Sequence, residues 1–144
     1  MSPQKKIEAN EGLAADTVKH LEFIQDIVNR MGSNSFQMKG WMITIVSALL
    51  AIYADKQNHV YALVGILPTA IFWFLDSYYL WQERKFRAVY SDILEHPGKV
   101  PPFTMPVHLY TAGKYSFWDV FTSMTILPLY LPVVMILLAI YLFF

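Results

Sequence analysis

Two carboxylates, Asp76 and Glu83, stand where the sequence passes from an apolar stretch to a charged one. Residues 60–75 carry no charge, and Glu83 follows Asp76 by two turns of a predicted helix. An ionisable side chain within or at the edge of a membrane span is costly and is typical of a functional position. In an oligomer these carboxylates would form stacked acidic rings at the mouth of a cation-favouring pore. The alternative is that Asp76 pairs with Lys39 or with a nearby arginine and only fixes helix packing.

A basic cluster formed by Arg84, Lys85 and Arg87 comes next in the sequence. Cations at this position predict contact with an anionic regulator, or anchoring of the helix end beside anionic lipid. An aromatic cluster precedes them and has two interpretations: an interface belt that packs helices, or a stacking platform for a nucleotide. The aromatic cluster consists of Phe72, Trp73, Phe74, Tyr78, Tyr79 and Trp81.

Small and hydroxyl side chains share one face of the preceding apolar run. Thr44 and Ser47 lie on that face with Ala48 and Ala51 when the run is helical. Such side chains allow helices to approach closely, either within a hairpin or around a central axis. We therefore predict Thr44 and Ser47 as candidate lumen groups of an oligomer.

Signatures of catalysis are missing from the 144 residues. The chain has no glycine-rich phosphate loop, no H-E-x-x-H motif and no G-x-S-x-G motif. Cysteine is absent, and the four histidines are far apart in sequence, so neither a thiolate site nor a histidine metal site is indicated. We predict that the protein is not an enzyme and has no metal site and no cofactor.

The composition indicates a membrane as the solvent for much of the chain. Apolar residues make up 56% and aromatic residues 16%, which is too rich for a water-soluble domain of this length. A hydrocarbon core of about 30 Å requires roughly 20 helical residues. Residues 35–95 fit a transmembrane hairpin with a five-residue turn at 55–59. Its second helix, from Val60 to about Leu94, is long enough to extend beyond the membrane.

Residues 1–34 are predicted to form a cytoplasmic segment around one amphipathic helix. Apolar residues from Ala14 to Met31 recur at three- and four-residue spacing. Gly32 is suited to a C-cap and Ser33–Ser35 to an N-cap, which predicts a break before the first span. The apolar stripe could form a seam between identical subunits, or it could pack on its own chain or on the bilayer surface.

The remaining sequence predicts a loop and a third span. Residues 96–116 form a proline-rich cytoplasmic loop, because the four prolines of residues 96–106 disfavour both a helix and a central strand. Residues 120–144 carry no charge. They predict a third transmembrane helix within residues 117–144, kinked by its prolines.

Basic residues determine the predicted orientation. Ten of the eleven lie on the side shared by the N-terminal segment and the 82–116 loop, against Lys56 alone in the hairpin turn. The positive-inside rule then places the N-terminus and the loop in the cytoplasm, and the C-terminus outside. The predicted fold class is an all-α membrane protein with an amphipathic N-terminal helix, an extended transmembrane hairpin, a proline-rich loop and a third transmembrane helix. Three spans cannot enclose a water path, so any conduction requires an oligomer.

Two segments, SFQMKGWMITIVSALLAIYA and FWFLDSYYLWQERKFRAVY, lie on either side of the short turn and follow a predicted helix. This arrangement resembles SLATT-type small membrane effectors, which are encoded beside nucleotide-producing enzymes in prokaryotic anti-phage systems. The resemblance covers residues 18–94, and the proline loop and last span lie outside it. It implies a homo-oligomer of the bacterial inner membrane that opens a pore or depolarises the cell on infection. It also implies control by an oligonucleotide product of a partner nucleotidyltransferase.

Taken with the residues, this resemblance favours an oligomeric ion-conducting pore, with a tetramer as one candidate state and the C-terminus in the periplasm. The expected partners are the lipid bilayer, further copies of the chain and the oligonucleotide. The competing expectation is a non-conducting structural or assembly subunit of a membrane complex, in which Asp76 pairs internally.

Overall fold

The computed structural model describes the backbone of residues 3–143 and the side chains of residues 14–143. The first two residues of the predicted cytoplasmic segment lie outside that range. Between residues 3 and 143 the protein is all-helical, as the sequence predicts. Its helices are α1 (Pro3–Lys56), α2 (Val60–Glu95), α3 (Phe117–Phe121) and α4 (Leu127–Phe143), with short 3-10 turns at Val107–Leu109 and Gly113–Tyr115.

Helices α1 and α2 pack side by side as the predicted antiparallel hairpin. Their contacts run in opposite directions along the two helices: Leu49 lies beside Gly65 near the turn, and Gly32 lies beside Glu83 far from it. The connection consists of the three residues between Lys56 and Val60. A link of that length joins only adjacent antiparallel helices.

The predicted break at Gly32 and Ser35 is wrong, because α1 continues through both positions. A Cβ atom on Gly32 would lie 3.4 Å from Oε2 of Glu83, so this glycine accommodates the close approach of α2. Ser35 does not cap a helix, since its hydroxyl donates to the carboxylate of Asp76. Tertiary contacts therefore use both residues, and they override the local preference for a helix end.

The apolar stripe of α1 packs on α2 of its own chain. Ile24 and Val28 are almost completely buried against Val89 and Ile93. Burial of a side chain of this size stabilises the fold by about 1.5–3 kcal/mol. Phe23, on the neighbouring face, remains 56% exposed. A seam between identical subunits thus stays a prediction, and it would have to use the outer face of α1 that carries Phe23.

Residues 96–116 form an irregular loop that packs against the end of the hairpin far from the α1–α2 turn. Helix α2 ends at Glu95, just before Pro97, as the sequence predicts. His20 of α1 is buried, and its Nε2 atom lies 2.9 Å from the carbonyl oxygen of Thr104. Both α1 and α2 therefore hold the loop in place.

The C-terminal segment is divided, so the prediction of one continuous helix over residues 117–144 is wrong at residues 122–126. Pro128 accounts for the division, because proline has no N–H to donate to the carbonyl four residues earlier. Helix α4 starts again with Pro128 in its first turn, where proline is tolerated, and it continues through Pro132. Its 17 residues extend over about 26 Å, slightly less than a hydrocarbon core. Phe144 lies outside the described residues.

Two helices are long and apolar enough to cross a membrane, within Ala14–Lys56 of α1 and Val60–Glu95 of α2. In the most apolar stretch of each helix, only a small share is buried inside the protein: 17% in α1 and 28% in α2. A helix in the core of a water-soluble protein would instead bury its apolar residues on most sides. Trp41 on α1 and Ile71 on α2 are both about half exposed. Lipid is a suitable solvent for such surfaces because the helical backbone satisfies its own hydrogen bonds.

Candidate functional site

A buried ion pair joins α1 to α2. The side chain of Asp76 is completely buried, and the ammonium nitrogen of Lys39 lies 2.8 Å from its Oδ1 atom and 2.6 Å from its Oδ2 atom. The hydroxyl of Ser35 donates to Oδ1, and Lys39 in turn donates to the Ser35 Oγ atom at 3.0 Å. We call these three residues the Asp76 triad. Each member contacts both of the others.

Helical spacing positions the triad. Ser35 and Lys39 are four residues apart, so they share the face of α1 that meets Asp76. A buried carboxylate is tolerated where it is paired and hydrogen-bonded, and the triad supplies both. Lys39 keeps 23% of its side chain exposed, so only the carboxylate is completely removed from solvent. The sequence indicated the Lys39 pair as one alternative, but it did not identify Ser35 as a partner.

Glu83, the second predicted mouth charge, also lies at the contact between the two helices. Its Oε1 atom accepts a hydrogen bond from Nε of Arg87 at 2.8 Å, and its side chain is 12% exposed. Its other carboxylate oxygen lies against Gly32. Within one chain, Asp76 and Glu83 therefore both face α1, and a role at a pore mouth stays a prediction about an assembly.

Thr44 and Ser47 lie on the opposite, exposed side of α1. The Thr44 hydroxyl donates to the carbonyl oxygen of Gly40 at 2.9 Å, which satisfies it within the helix. A shallow groove of about 320 Å³ runs beside it, lined by Phe36, Gln37, Gly40, Trp41 and Thr44. The two predicted lumen groups thus share a surface that a neighbouring helix could reach.

A basic pocket of about 290 Å³ lies beyond the apolar part of α2. Arg84 and Arg87 bring two cations from successive turns of the helix, and Lys114 brings a third from the loop. Ala88, Ser91 and Tyr115 complete the lining. Lys85, which the sequence grouped with the two arginines, is buried elsewhere, with its ammonium nitrogen 4.0 Å from the centre of the Trp81 ring.

The sequence missed Lys114 because the proline-rich loop separates it from the arginines. In the structure, Nε1 of Trp81 donates to the carbonyl oxygen of Tyr115 at 2.7 Å, which fixes the loop beside α2. The position of Lys85 outside the pocket could have been predicted from the local sequence. Trp81 and Lys85 are four residues apart in a helix, and a lysine over an indole face is favourable. We therefore redefine the basic site as Arg84, Arg87 and Lys114.

A second set of contacts ties the loop to the C-terminal end of α2. The phenol of Tyr110 donates a hydrogen bond to the Oδ2 atom of Asp92. Lys99 donates to the same oxygen at 2.9 Å. Burial, together with the hydrogen bond to Asp92, raises the pKa of Tyr110 from 10.0 to about 12. The neutral phenol is therefore the form that holds the loop.

Replacing Tyr110 with phenylalanine is expected to lower the stability of the protein by about 1 kcal/mol at neutral pH, through loss of one hydrogen bond. Because the folded pKa of Tyr110 is raised to about 12, the contribution is complete below about pH 10 and is lost as pH rises toward 12. Melting temperatures of wild type and Tyr110→Phe should therefore converge over that range. Tyr141→Phe, at the far end of α4, is the control. A difference between wild type and Tyr110→Phe that stays constant above pH 10 would contradict this assignment.

Residues 3–143 thus form an all-helical protein with two helices suited to crossing a membrane, an ion pair between them and a basic pocket beyond the apolar part of α2. Among the residues whose side chains are described, no group of three histidine or acidic side chains is placed to hold a metal ion. Comparison with protein-family models, curated proteins and solved structures found no match to the chain. The function is therefore inferred from the residues, their geometry and the resemblance of residues 18–94.

Proposed function

We propose that this protein is an oligomeric transmembrane effector that forms an ion-conducting pore in the bacterial inner membrane, with a role in anti-phage defence. Helices α1 and α2 would cross the membrane, with the N-terminus and residues 96–116 in the cytoplasm. The C-terminal segment would make a third crossing and end in the periplasm. The distribution of basic residues supports this orientation. The resemblance to SLATT-type effectors supports the defence role.

The observation that carries the proposal is a small and hydroxyl face of α1 that its own chain leaves uncovered. Thr44, Ser47, Ala48 and Ala51 are all exposed, because α1 packs chiefly on α2 through its other side. Within a membrane, small residues favour close contact with another helix over contact with lipid. Several copies around an axis, a tetramer being one candidate, would place Thr44 and Ser47 at a lumen that one chain cannot enclose.

Asp76 would act in this channel only after a rearrangement. In the described conformation its carboxylate is occupied by Lys39 and Ser35. A cation-favouring mouth requires the carboxylate to face water. We therefore assign the paired conformation to a closed state. Opening would separate Asp76 from α1 and would expose Glu83 as well.

Control by an anionic ligand is the second part of the proposal. The resemblance implies an oligonucleotide made by a partner nucleotidyltransferase. The cations available for it are Arg84, Arg87 and Lys114, because Lys85 is turned toward Trp81. Guanidinium groups suit phosphate oxygens through paired N–H donors.

A non-conducting structural or assembly subunit is the second candidate, and the Asp76 triad favours it. An ion pair between neighbouring helices, with its carboxylate completely buried, has a sufficient role in fixing their register. On this account the exposed face of α1 would contact a different membrane protein, and no lumen would form.

Single-channel recording on the purified protein in planar bilayers separates the two candidates. The pore predicts discrete openings that favour cations over anions. Replacement of Asp76 with asparagine should then change the cation preference. Silent bilayers at every oligomeric state that can be isolated would support the structural subunit and reject the pore.

A further inference from the structure

We infer that the basic pocket formed by Arg84, Arg87 and Lys114 binds the phosphate group of an anionic phospholipid from the cytoplasmic leaflet. This inference rests on the membrane placement in the proposed function, but it does not require conduction. It chooses between the two partners that the sequence indicated, an anionic regulator and anionic lipid, and it adds Lys114 to the site.

Among the described side chains, charge balance at the pocket leaves two cations without a carboxylate partner. Arg87 is paired with Glu83 through its Nε atom. Arg84 and Lys114 have no carboxylate partner among the side chains of residues 14–143. Two uncompensated cations facing one concave space are attractive to an anion, because the field of each adds to that of the other.

The structure also provides polar groups suited to a headgroup. Ser91 lies at the cytoplasmic end of the pocket, two helical turns beyond Arg84, and can offer a hydroxyl to a glycerol or phosphate oxygen. Tyr115 lines the side that belongs to the loop. The ammonium nitrogen of Lys114 lies 5.1 Å from the centre of the Tyr115 ring, so the aromatic ring supports the cation while leaving it exposed.

Depth favours a lipid phosphate over one dissolved in water. Trp81 and Phe117 pack with ring centres 5.9 Å apart, and Trp118 beside them is 70% exposed, an arrangement typical of aromatic residues at a membrane interface. At 1.5 Å per residue, Arg84 lies about 4.5 Å beyond Trp81 along α2, and the headgroup layer is about 5–8 Å thick. The Arg84 end of the pocket therefore lies within the phosphate layer, and the Ser91 end, about 15 Å beyond Trp81 along α2, extends past it toward water.

An oligonucleotide offers the same phosphate chemistry, but it would approach from the aqueous side. The lipid is present at high local concentration at this depth, so any soluble regulator that used Arg84 and Lys114 would have to displace it. The two occupants are distinguished by titrating each of them alone and then together.

The experiment is native mass spectrometry of the full-length protein in detergent, titrated with phosphatidylglycerol and, in parallel, with phosphatidylcholine. The pocket variant carries Arg84→Gln and Lys114→Gln. The control carries Lys19→Gln and Arg30→Gln, which remove the same two charge types from exposed cytoplasmic positions of α1. A Lys114→Arg variant retains the charge. Inorganic phosphate and a short single-stranded oligonucleotide serve as the soluble probes.

The expected result is selective loss of phosphatidylglycerol by the pocket variant. Its dissociation constant should rise roughly thirtyfold, about 2 kcal/mol for two cations at an anionic surface. Lys114→Arg and the control should bind as wild type does, and phosphatidylcholine binding should not change. Inorganic phosphate should not displace the lipid, and the oligonucleotide should bind these cations only in competition with it.

Two results would overturn the inference: equal phosphatidylglycerol affinity in the pocket variant and the control, or oligonucleotide binding that needs Arg84 and Lys114 while lipid binding does not. Melting temperatures of both variants verify that each is folded. A protein that binds the lipid but never conducts would keep this inference and remove the proposed pore. A protein that conducts but does not bind the lipid selectively would keep the proposed pore and remove this inference.

Discussion

Replacing Lys39 with methionine is expected to destabilise the protein strongly, because it breaks the pair with the buried carboxylate of Asp76. The completely buried carboxyl group of Asp76 would lose its counter-ion. Breaking a buried pair from one side costs about 3 kcal/mol or more, and we expect the lower end because Lys39 is 23% exposed. The free energy of unfolding can be measured by titration with SDS in mixed micelles.

Three further variants identify the cause of that loss. Lys56→Met removes a lysine whose pair with Asp55 is 3.0 Å long but more than half exposed on both sides, and it should cost less than about 1 kcal/mol. Asp76→Asn keeps an acceptor for Ser35 and should cost about 1–2 kcal/mol. Lys39→Met combined with Asp76→Leu should recover most of the loss. Equal effects of Lys39→Met and Lys56→Met would show that the buried pair adds nothing to stability.

Replacing Thr44 and Ser47 together with leucine is expected to reduce the single-channel current at least roughly tenfold. Apolar rings in a narrow lumen exclude water, and an added barrier of about 1.4 kcal/mol is enough for a tenfold effect. Both positions are exposed on α1, so the substitutions should not disturb the hairpin itself. Recording in planar bilayers measures the effect.

Thr122→Leu is a closely matched control for this prediction. Its hydroxyl donates to the carbonyl four residues earlier at 2.9 Å, as that of Thr44 does at 2.9 Å, and both threonines are exposed. The control should conduct as wild type does. The particle mass of each variant must be compared, since loss of assembly would also silence the channel. An unchanged current in a correctly assembled Thr44 and Ser47 variant would remove these residues from the lumen.

The hairpin could be predicted from the sequence because its determinants are local. Long uncharged runs and a short polar turn define two helices and their antiparallel arrangement. The end of α2 at Glu95 follows in the same way from Pro97. Asp76 also stood out locally, as a charge at the end of an apolar stretch.

Features that depend on distant residues were predicted incorrectly or missed. Ser35 and Gly32 have the chemistry of caps, but α1 continues because their partners, Asp76 and Glu83, lie on α2. Such partners, 41 residues away in the case of Ser35, leave no periodic signal. Lys114 was missed for the same reason. It reaches the basic pocket through a loop whose path the prolines constrain but do not specify.

The division of the C-terminal segment shows a different limit. Its uncharged length satisfied the criterion for a span. Pro128, however, has no N–H to donate to a helical hydrogen bond, and the helix is interrupted at residues 122–126. Length and hydropathy thus predict a span over this segment, while proline chemistry determines where its helix begins.

The central claim is that several copies of this chain surround an axis in the membrane. The most direct test is the mass of the detergent-solubilised particle, measured by light scattering with the detergent contribution removed. The account predicts one closed oligomer whose protein mass is a whole multiple of the chain and is stable on dilution. A particle that contains a single chain in every mild detergent would contradict the pore, because one copy cannot enclose a water path.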